Sequence, residues 1–244
     1  MNLLIALAAL AVFSAYFIKG FSGFGPALIL IPSLTFLYDP GTAISASTYF
    51  DIIGGIILFI TVRKDIDWKF VIPITLLIYI GAYFGANLLK VISPELLTKI
   101  IGYGLIAFSI ILILQKQNEN RTVKQSLFKR LISLPIALAA GFSGGMIGIT
   151  GPLLVIYMKL NFDKNYFRNQ LIAIFTFGAV WRFLLYRMHG IAFEMNYYQL
   201  IFLTAIMLGG LWLGQHLHVK VNERNFNRII AVMLLVPAVN LLIQ

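Results

Sequence analysis

The sequence predicts an all-α polytopic membrane protein made of two inverted-topology repeats. Three observations carry this prediction: an apolar composition, a series of long apolar segments, and a glycine motif that recurs in each half. Of 244 residues, 60% are hydrophobic and 11% are charged, whereas a soluble domain carries roughly 25% charged residues. A chain this apolar cannot cover a soluble fold with polar groups. The composition therefore excludes an ordinary soluble enzyme, a disordered chain and a free nucleic-acid-binding domain.

Ten apolar segments follow one another in two sets of five. They cover roughly residues 2–18, 26–38, 42–62, 70–89 and 95–114, and then 131–143, 152–160, 167–188, 196–215 and 224–243. A spanning helix needs about 20 residues, so segments 26–38 and 152–160 are too short, and each follows a glycine-rich break. Each half is therefore predicted to hold a Gly-broken or re-entrant helix pair and three spanning helices.

The two halves are predicted to be repeats of one unit. Gly20-Phe21-Ser22-Gly23 recurs as residues 141–144, and Gly25-Pro26 is echoed by Gly151-Pro152. Recurrence in register with the apolar pattern favours duplication. We assign residues 1–114 to the first repeat, 115–130 to a cytoplasmic linker and 131–244 to the second repeat. Because five segments is an odd number, the second repeat should be inverted.

The basic residues predict the orientation of the chain in the cytoplasmic membrane. If the segments alternate strictly, 15 of the 19 Lys and Arg residues fall on the side of the 115–130 linker. Basic residues accumulate in cytoplasmic loops. Both termini are therefore expected outside the cell. The net charge of +10 is read as a topology signal, so no nucleic acid partner is expected.

The glycine motifs are the predicted substrate site. Gly-Pro favours the start of a new helix, since Pro fits the first turn, and a helix start offers N–H groups and a positive dipole end to an anion. A helix interrupted at membrane depth is typical of transporter binding sites. Close helix packing through small residues is the alternative. The assigned residues are Gly20, Ser22, Gly23, Phe24, Gly25 and Pro26 in the first half and Ser143, Gly148, Thr150, Gly151 and Pro152 in the second.

Three charged residues are candidates for a role in transport. Asp51 is the acidic residue inside a long apolar segment. It is the candidate proton-coupling residue because apolar surroundings penalise the charged form, and a packing carboxyl is the alternative. Arg182 offers a planar fork suited to oxyanions, or it extends towards the outer interface. Lys19 attracts the anion or, as we favour, marks a cytoplasmic helix end.

The chain resembles the sulfite exporter TauE/SafE family of membrane transporters. The resemblance rests on Gly20-Phe21-Ser22-Gly23-Phe24-Gly25-Pro26, on Gly148-Ile149-Thr150-Gly151-Pro152-Leu153-Leu154, and on the two-half layout over the whole chain. Thr150 departs from the pattern, since the family often has a further Gly there. The resemblance implies export, or in some members uptake, of sulfite, sulfonates or related small anions.

The sequence thus predicts a secondary transporter that exports small anions by alternating access between inverted repeats. A passive anion channel and a proton-coupled uptake permease are the alternatives, and a membrane-embedded enzyme or scaffold is less favoured. The sequence carries no Walker A or HExxH motif and no Cys, so an enzyme, a metal site and a cofactor are not expected. The expected partners are the anionic substrate and the lipid bilayer. A proton and a second copy of the chain are further candidates.

Overall fold

A computed structural model gives the fold. It describes residues 3–23, 25–89, 91–93, 95, 96, 99, 103, 106, 107, 110, 127–150, 154, 155, 157, 158, 161, 162, 164–191 and 194–217. Within those residues the chain forms helices and turns and contains no strand. The predicted all-α membrane fold is confirmed: five described helices are long and apolar enough to cross a bilayer. Most of the 115–130 linker and the segment predicted at 224–243 lie outside the described residues.

The helices follow the predicted order with shifted ends. The first half contains α1 (Leu3–Ser22), α2 (Pro26–Leu34), α3 (Pro40–Val62), a short 3-10 turn (Arg63–Asp65) and α4 (Trp68–Leu89). The second half contains α5 (Leu127–Ile147), α6 (Lys164–Met188) and α7 (Tyr197–Leu217). The described residues within 95–110 and 154–161 are helical too. The long helices place the short α2 and the turns beside it at the centre of the bundle.

The second Gly-Phe-Ser-Gly block lies inside a helix, whereas the first contains the end of its helix. Helix α1 continues to Ser22 and α5 continues to Ile147, beyond the predicted segment ends at residues 18 and 143. The chain turns at Gly23, Gly25 and Gly148, which have φ values of 83°, 91° and 76°. Only glycine adopts this left-handed conformation without strain. The predicted helix start at Pro26 is confirmed, with Gly25 as the N-cap.

Glycines let α4 and α5 pack backbone against backbone. A Cβ atom on Gly81 would meet the carbonyl oxygen of Leu138, and one on Gly85 would meet that of Phe142. In return, a Cβ atom on Gly141 would meet the carbonyl oxygen of Ile78. The paired residue numbers rise together, so the two helices run parallel. Small residues permit this close approach in membrane helices.

The same arrangement joins α1 to α7. Gly210 lies against the backbone of Phe13, and Gly214 lies against the backbone of Phe17, so these helices also run parallel. Gly20 faces the backbone of Leu211. The first helix of each half therefore packs along the fourth predicted helix of the other half, through glycines in both cases.

Helices α3 and α6 meet at the centre and run antiparallel. Gly55 contacts Thr176, while one turn earlier in α3 Asp51 lies 3.7 Å from Arg182, which comes later in α6. Beyond the end of α3, the Asp67 carboxylate accepts a hydrogen bond of 2.9 Å from the Tyr166 hydroxyl. This packing brings Asp51 of α3 and Arg182 of α6 to the same depth.

Candidate functional site

A small cavity lies where the two glycine turns meet α3 and α6. Its volume is about 30 Å³, which is room for about two waters. Both halves line it. The lining residues are Lys19, Gly25, Pro26, Ala27, Leu28 and Asp51 from the first half and Gly148, Ile149, Thr150, Phe175 and Arg182 from the second.

Asp51 and Lys19 form a buried ion pair on one wall of this cavity. The Lys19 ammonium donates to Asp51 Oδ1 at 2.7 Å and to the Asp51 backbone carbonyl at 3.1 Å. The Tyr16 hydroxyl donates to the same Oδ1 at 3.2 Å. Lys19 is 4% exposed and Asp51 is 7% exposed. Charges this buried are retained only when they are paired and hydrogen-bonded.

Arg182 faces this pair from α6. Its Nη1 donates to the Thr150 hydroxyl at 2.6 Å, and its Nη2 lies 3.7 Å from Asp51 Oδ2. The second distance is too long for a hydrogen bond. The Arg182 Nε is buried and makes no hydrogen bond to the described residues. Arg182 therefore keeps donor capacity that its neighbours do not use.

The start of α2 closes another side of the cavity. Pro26 occupies the first helical position after the turn at Gly25, and a helix start carries N–H groups without intrahelical partners. The facing turn, at Gly148, packs against Ile31 and Ile44. The cavity thus combines a positive helix end, two cationic side chains, one carboxylate and one hydroxyl, which suits a small anion.

Six of the predicted site residues come together in this cavity: Gly25, Pro26, Asp51, Gly148, Thr150 and Arg182. Phe24, Gly151 and Pro152 lie outside the described residues. The remaining four lie beside the cavity, three of them in helices and Gly23 in the turn after α1. Gly20 is in the α1–α7 contact, where its carbonyl accepts from Arg168 Nη2 at 3.1 Å. The packing interpretation of small residues therefore describes Gly20 best.

The other three residues beside the cavity make local contacts. Gly23 packs against Arg168 and Ile172. The Ser22 hydroxyl donates to the Ile18 carbonyl at 2.8 Å. The Ser143 hydroxyl is within hydrogen-bonding distance, 3.0 Å, of the carbonyl oxygens of Ala140 and Ile149. It therefore links the last turns of α5 to the turn that lines the cavity. None of these residues is among the lining residues.

The structure extends one interpretation of the cations and corrects another. Lys19 lies in the last turn of α1, as expected of a helix-end residue, but its ammonium is buried against Asp51. Arg182 does not extend to the outer interface, because its side chain is 3% exposed. Sequence reasoning missed Tyr16 as a partner of Asp51. One signal was available, since a lone basic residue and a lone acidic residue occupy separate apolar helices.

The chain is similar to a known protein family over nearly its whole length. The family model described as sulfite exporter TauE/SafE matches residues 7–241, which is nearly the whole chain. No curated protein and no solved structure matches the chain.

Proposed function

Because the chain belongs to the sulfite exporter TauE/SafE family, we propose that it is a secondary transporter which exports sulfite, organosulfonates or related small oxyanions across the cytoplasmic membrane. The observation that carries this proposal is the cavity lined by both glycine turns together with the buried side chains of Lys19, Asp51 and Arg182. A cavity of this charge in an apolar helical bundle is suited to an anion in transit.

The anion would bind between Arg182 and the helix start at Pro26. The Arg182 guanidinium presents donors in a plane that matches the oxygens of a sulfonate or sulfite. The Thr150 hydroxyl, already bonded to Arg182 at 2.6 Å, would supply a further donor. The small cavity volume favours an anion of few atoms.

Alternating access would arise from movement of one inverted repeat against the other. Inversion is supported by the antiparallel packing of α3 and α6, the third helices of the two halves, and by the parallel packing of α1 with α7 and α4 with α5. Inverted repeats give one structure two related packings that open to opposite sides. Since both halves line the cavity, such a movement would change its access.

A proton-coupled uptake permease is the second candidate. It is favoured by Asp51, whose carboxylate lines the cavity 3.7 Å from Arg182. A carboxylate in this position is the residue type that carries protons in coupled transporters. A passive channel through the same cavity is the third. Proton coupling would show as flux that depends on a pH gradient at fixed membrane potential, and a channel would show as currents far above carrier turnover.

The test is efflux of labelled sulfite from proteoliposomes. The parent should release sulfite and exchange it against external sulfite, and Arg182→Gln should do neither because it lacks the cation that holds the anion. Arg187→Gln is the matched control, because Arg187 is an exposed cation on the same helix. Exchange at the parental rate in Arg182→Gln would refute the site. No exchange by the folded parent with any sulfur oxyanion would refute the function.

A further inference from the structure

The charges around the cavity are not equivalent. Lys19 directs two hydrogen bonds at Asp51, to its Oδ1 and to its backbone carbonyl, so the two form a neutral pair. Arg182 meets Asp51 only at 3.7 Å, and its buried Nε has no hydrogen-bond partner among the described residues. One positive charge, that of Arg182, is therefore left without a bonded counter-ion beside the cavity.

We propose that the substrate is bound as a monoanion, with Arg182 and Thr150 as its ligands and Asp51 as the fixed counter-ion of Lys19. This inference rests on the proposed function and names its substrate class: sulfonates (RSO₃⁻) and hydrogen sulfite (HSO₃⁻). Dianions such as sulfate and fully ionised sulfite are rejected by the charge of the site.

Charge, not shape, separates these anions. Sulfate and methanesulfonate are tetrahedral and similar in size, so a cavity of this volume cannot distinguish them by contact alone. A buried charge without a counter-charge is strongly unfavourable. One anionic charge balances Arg182, whereas a second would find Lys19 already balanced by Asp51 and no further cationic side chain among the described lining residues.

Hydrogen sulfite then enters with its own proton. It exchanges that proton with water near neutral pH, so raising the pH removes the form that binds. The ionisable groups facing this region are Tyr16 and Lys19 of α1, Asp51 of α3, and Arg182 and Tyr186 of α6. Titration of any of them would affect every anion. A sulfonate, whose charge is constant over this range, therefore serves as the control for the protein's own titration.

The experiment measures binding to the purified full-length protein in detergent by calorimetry. Methanesulfonate, sulfate and, under anaerobic conditions, sulfite are compared at constant ionic strength set with gluconate. The parent should bind methanesulfonate at least about tenfold more tightly than sulfate. Above the ionisation of hydrogen sulfite, the apparent Kd for total sulfite should rise about tenfold per pH unit, while that for methanesulfonate stays constant.

Two variants change the net charge of the group formed by Lys19, Asp51 and Arg182. Asp51→Asn leaves Lys19 and Arg182 both uncompensated, so its preference should move at least about tenfold towards sulfate. The double variant Lys19→Gln/Asp51→Asn restores a single charge and should return to the preference of the parent. The double variant also contains no unpaired buried Lys19, so it keeps the test decisive if Asp51→Asn alone does not fold.

The outcomes separate this inference from the function on which it rests. Equal binding of sulfate and methanesulfonate by the parent, an unchanged preference in a folded Asp51→Asn variant, or a preference for sulfate in the double variant would overturn the monoanion assignment and leave an anion transporter in place. Failure of the folded parent to bind any of the three anions would overturn the proposed function itself.

Discussion

Replacing Lys19 by Gln should lower the free energy of unfolding by about 3–5 kcal/mol, because the Asp51 carboxylate stays buried without its cation. The Lys19 ammonium lies 2.7 Å from Asp51 Oδ1, and the two side chains are 5% and 10% exposed. At an effective dielectric constant of about 20, charges 2.7 Å apart attract by about 6 kcal/mol. In the variant without Lys19, the attraction between Asp51 and Arg182, whose charged atoms are 3.7 Å apart, compensates for only part of this loss.

The assay is equilibrium unfolding in mixed micelles, read as a double-mutant cycle with Asp51→Asn. The double variant should be more stable than the two single losses added together predict, since it removes both buried charges. Lys99→Gln is the matched control: Lys99 pairs with Glu95 at the same 2.7 Å, but both side chains are exposed. Its loss should not be measurable. A Lys19→Gln variant as stable as Lys99→Gln would refute the buried-pair reasoning.

Three further predictions follow from the glycines and the topology. Gly81→Ala should destabilise the protein by about 1–3 kcal/mol, because its Cβ would lie 2.7 Å from the Phe142 backbone nitrogen; Gly209→Ala, with nothing within 4 Å, should be neutral in the same unfolding assay. Gly25→Val should abolish sulfite efflux in a folded protein, because its β-branched side chain would enter the turn that lines the cavity. Gly190→Val has similar backbone strain, with φ 67° against 91°, and should keep efflux because Gly190 is not among the lining residues. In the Cys-free chain, Asn120→Cys should resist an impermeant thiol reagent in intact cells, and labelling there would contradict the cytoplasmic linker.

The fold was predictable because its main signals are local. Apolar run length predicts a membrane helix, and Gly-Pro predicts the start of α2 at Pro26, where the structure has it. The ends of α1 and α5 were not predictable in this way. Whether a glycine block continues a helix or breaks it depends on its neighbours in the fold, and the helical Gly141 packs against the backbone of Ile78, 63 positions away in the sequence.

The site was predictable only in part, for a similar reason. The residue types of the site could be recognised in the sequence. A carboxylate or guanidinium within a membrane segment is energetically unfavourable, and such residues usually have a function. Their pairing was not, because Lys19 and Asp51 are 32 positions apart and meet through the packing of separate helices. The interpretation of Lys19 as a helix-end residue therefore missed its ion pair with Asp51. The assignment of Asp51 to proton coupling stays a prediction.

The location of a bound oxyanion tests the central claim most directly. Crystals of the protein grown with selenite, which mimics sulfite and carries an anomalous scatterer, would show where the anion lies. We expect an anomalous peak in the cavity within hydrogen-bonding distance of Arg182 and Thr150. Occupied selenite sites that all lie outside this cavity would contradict the account.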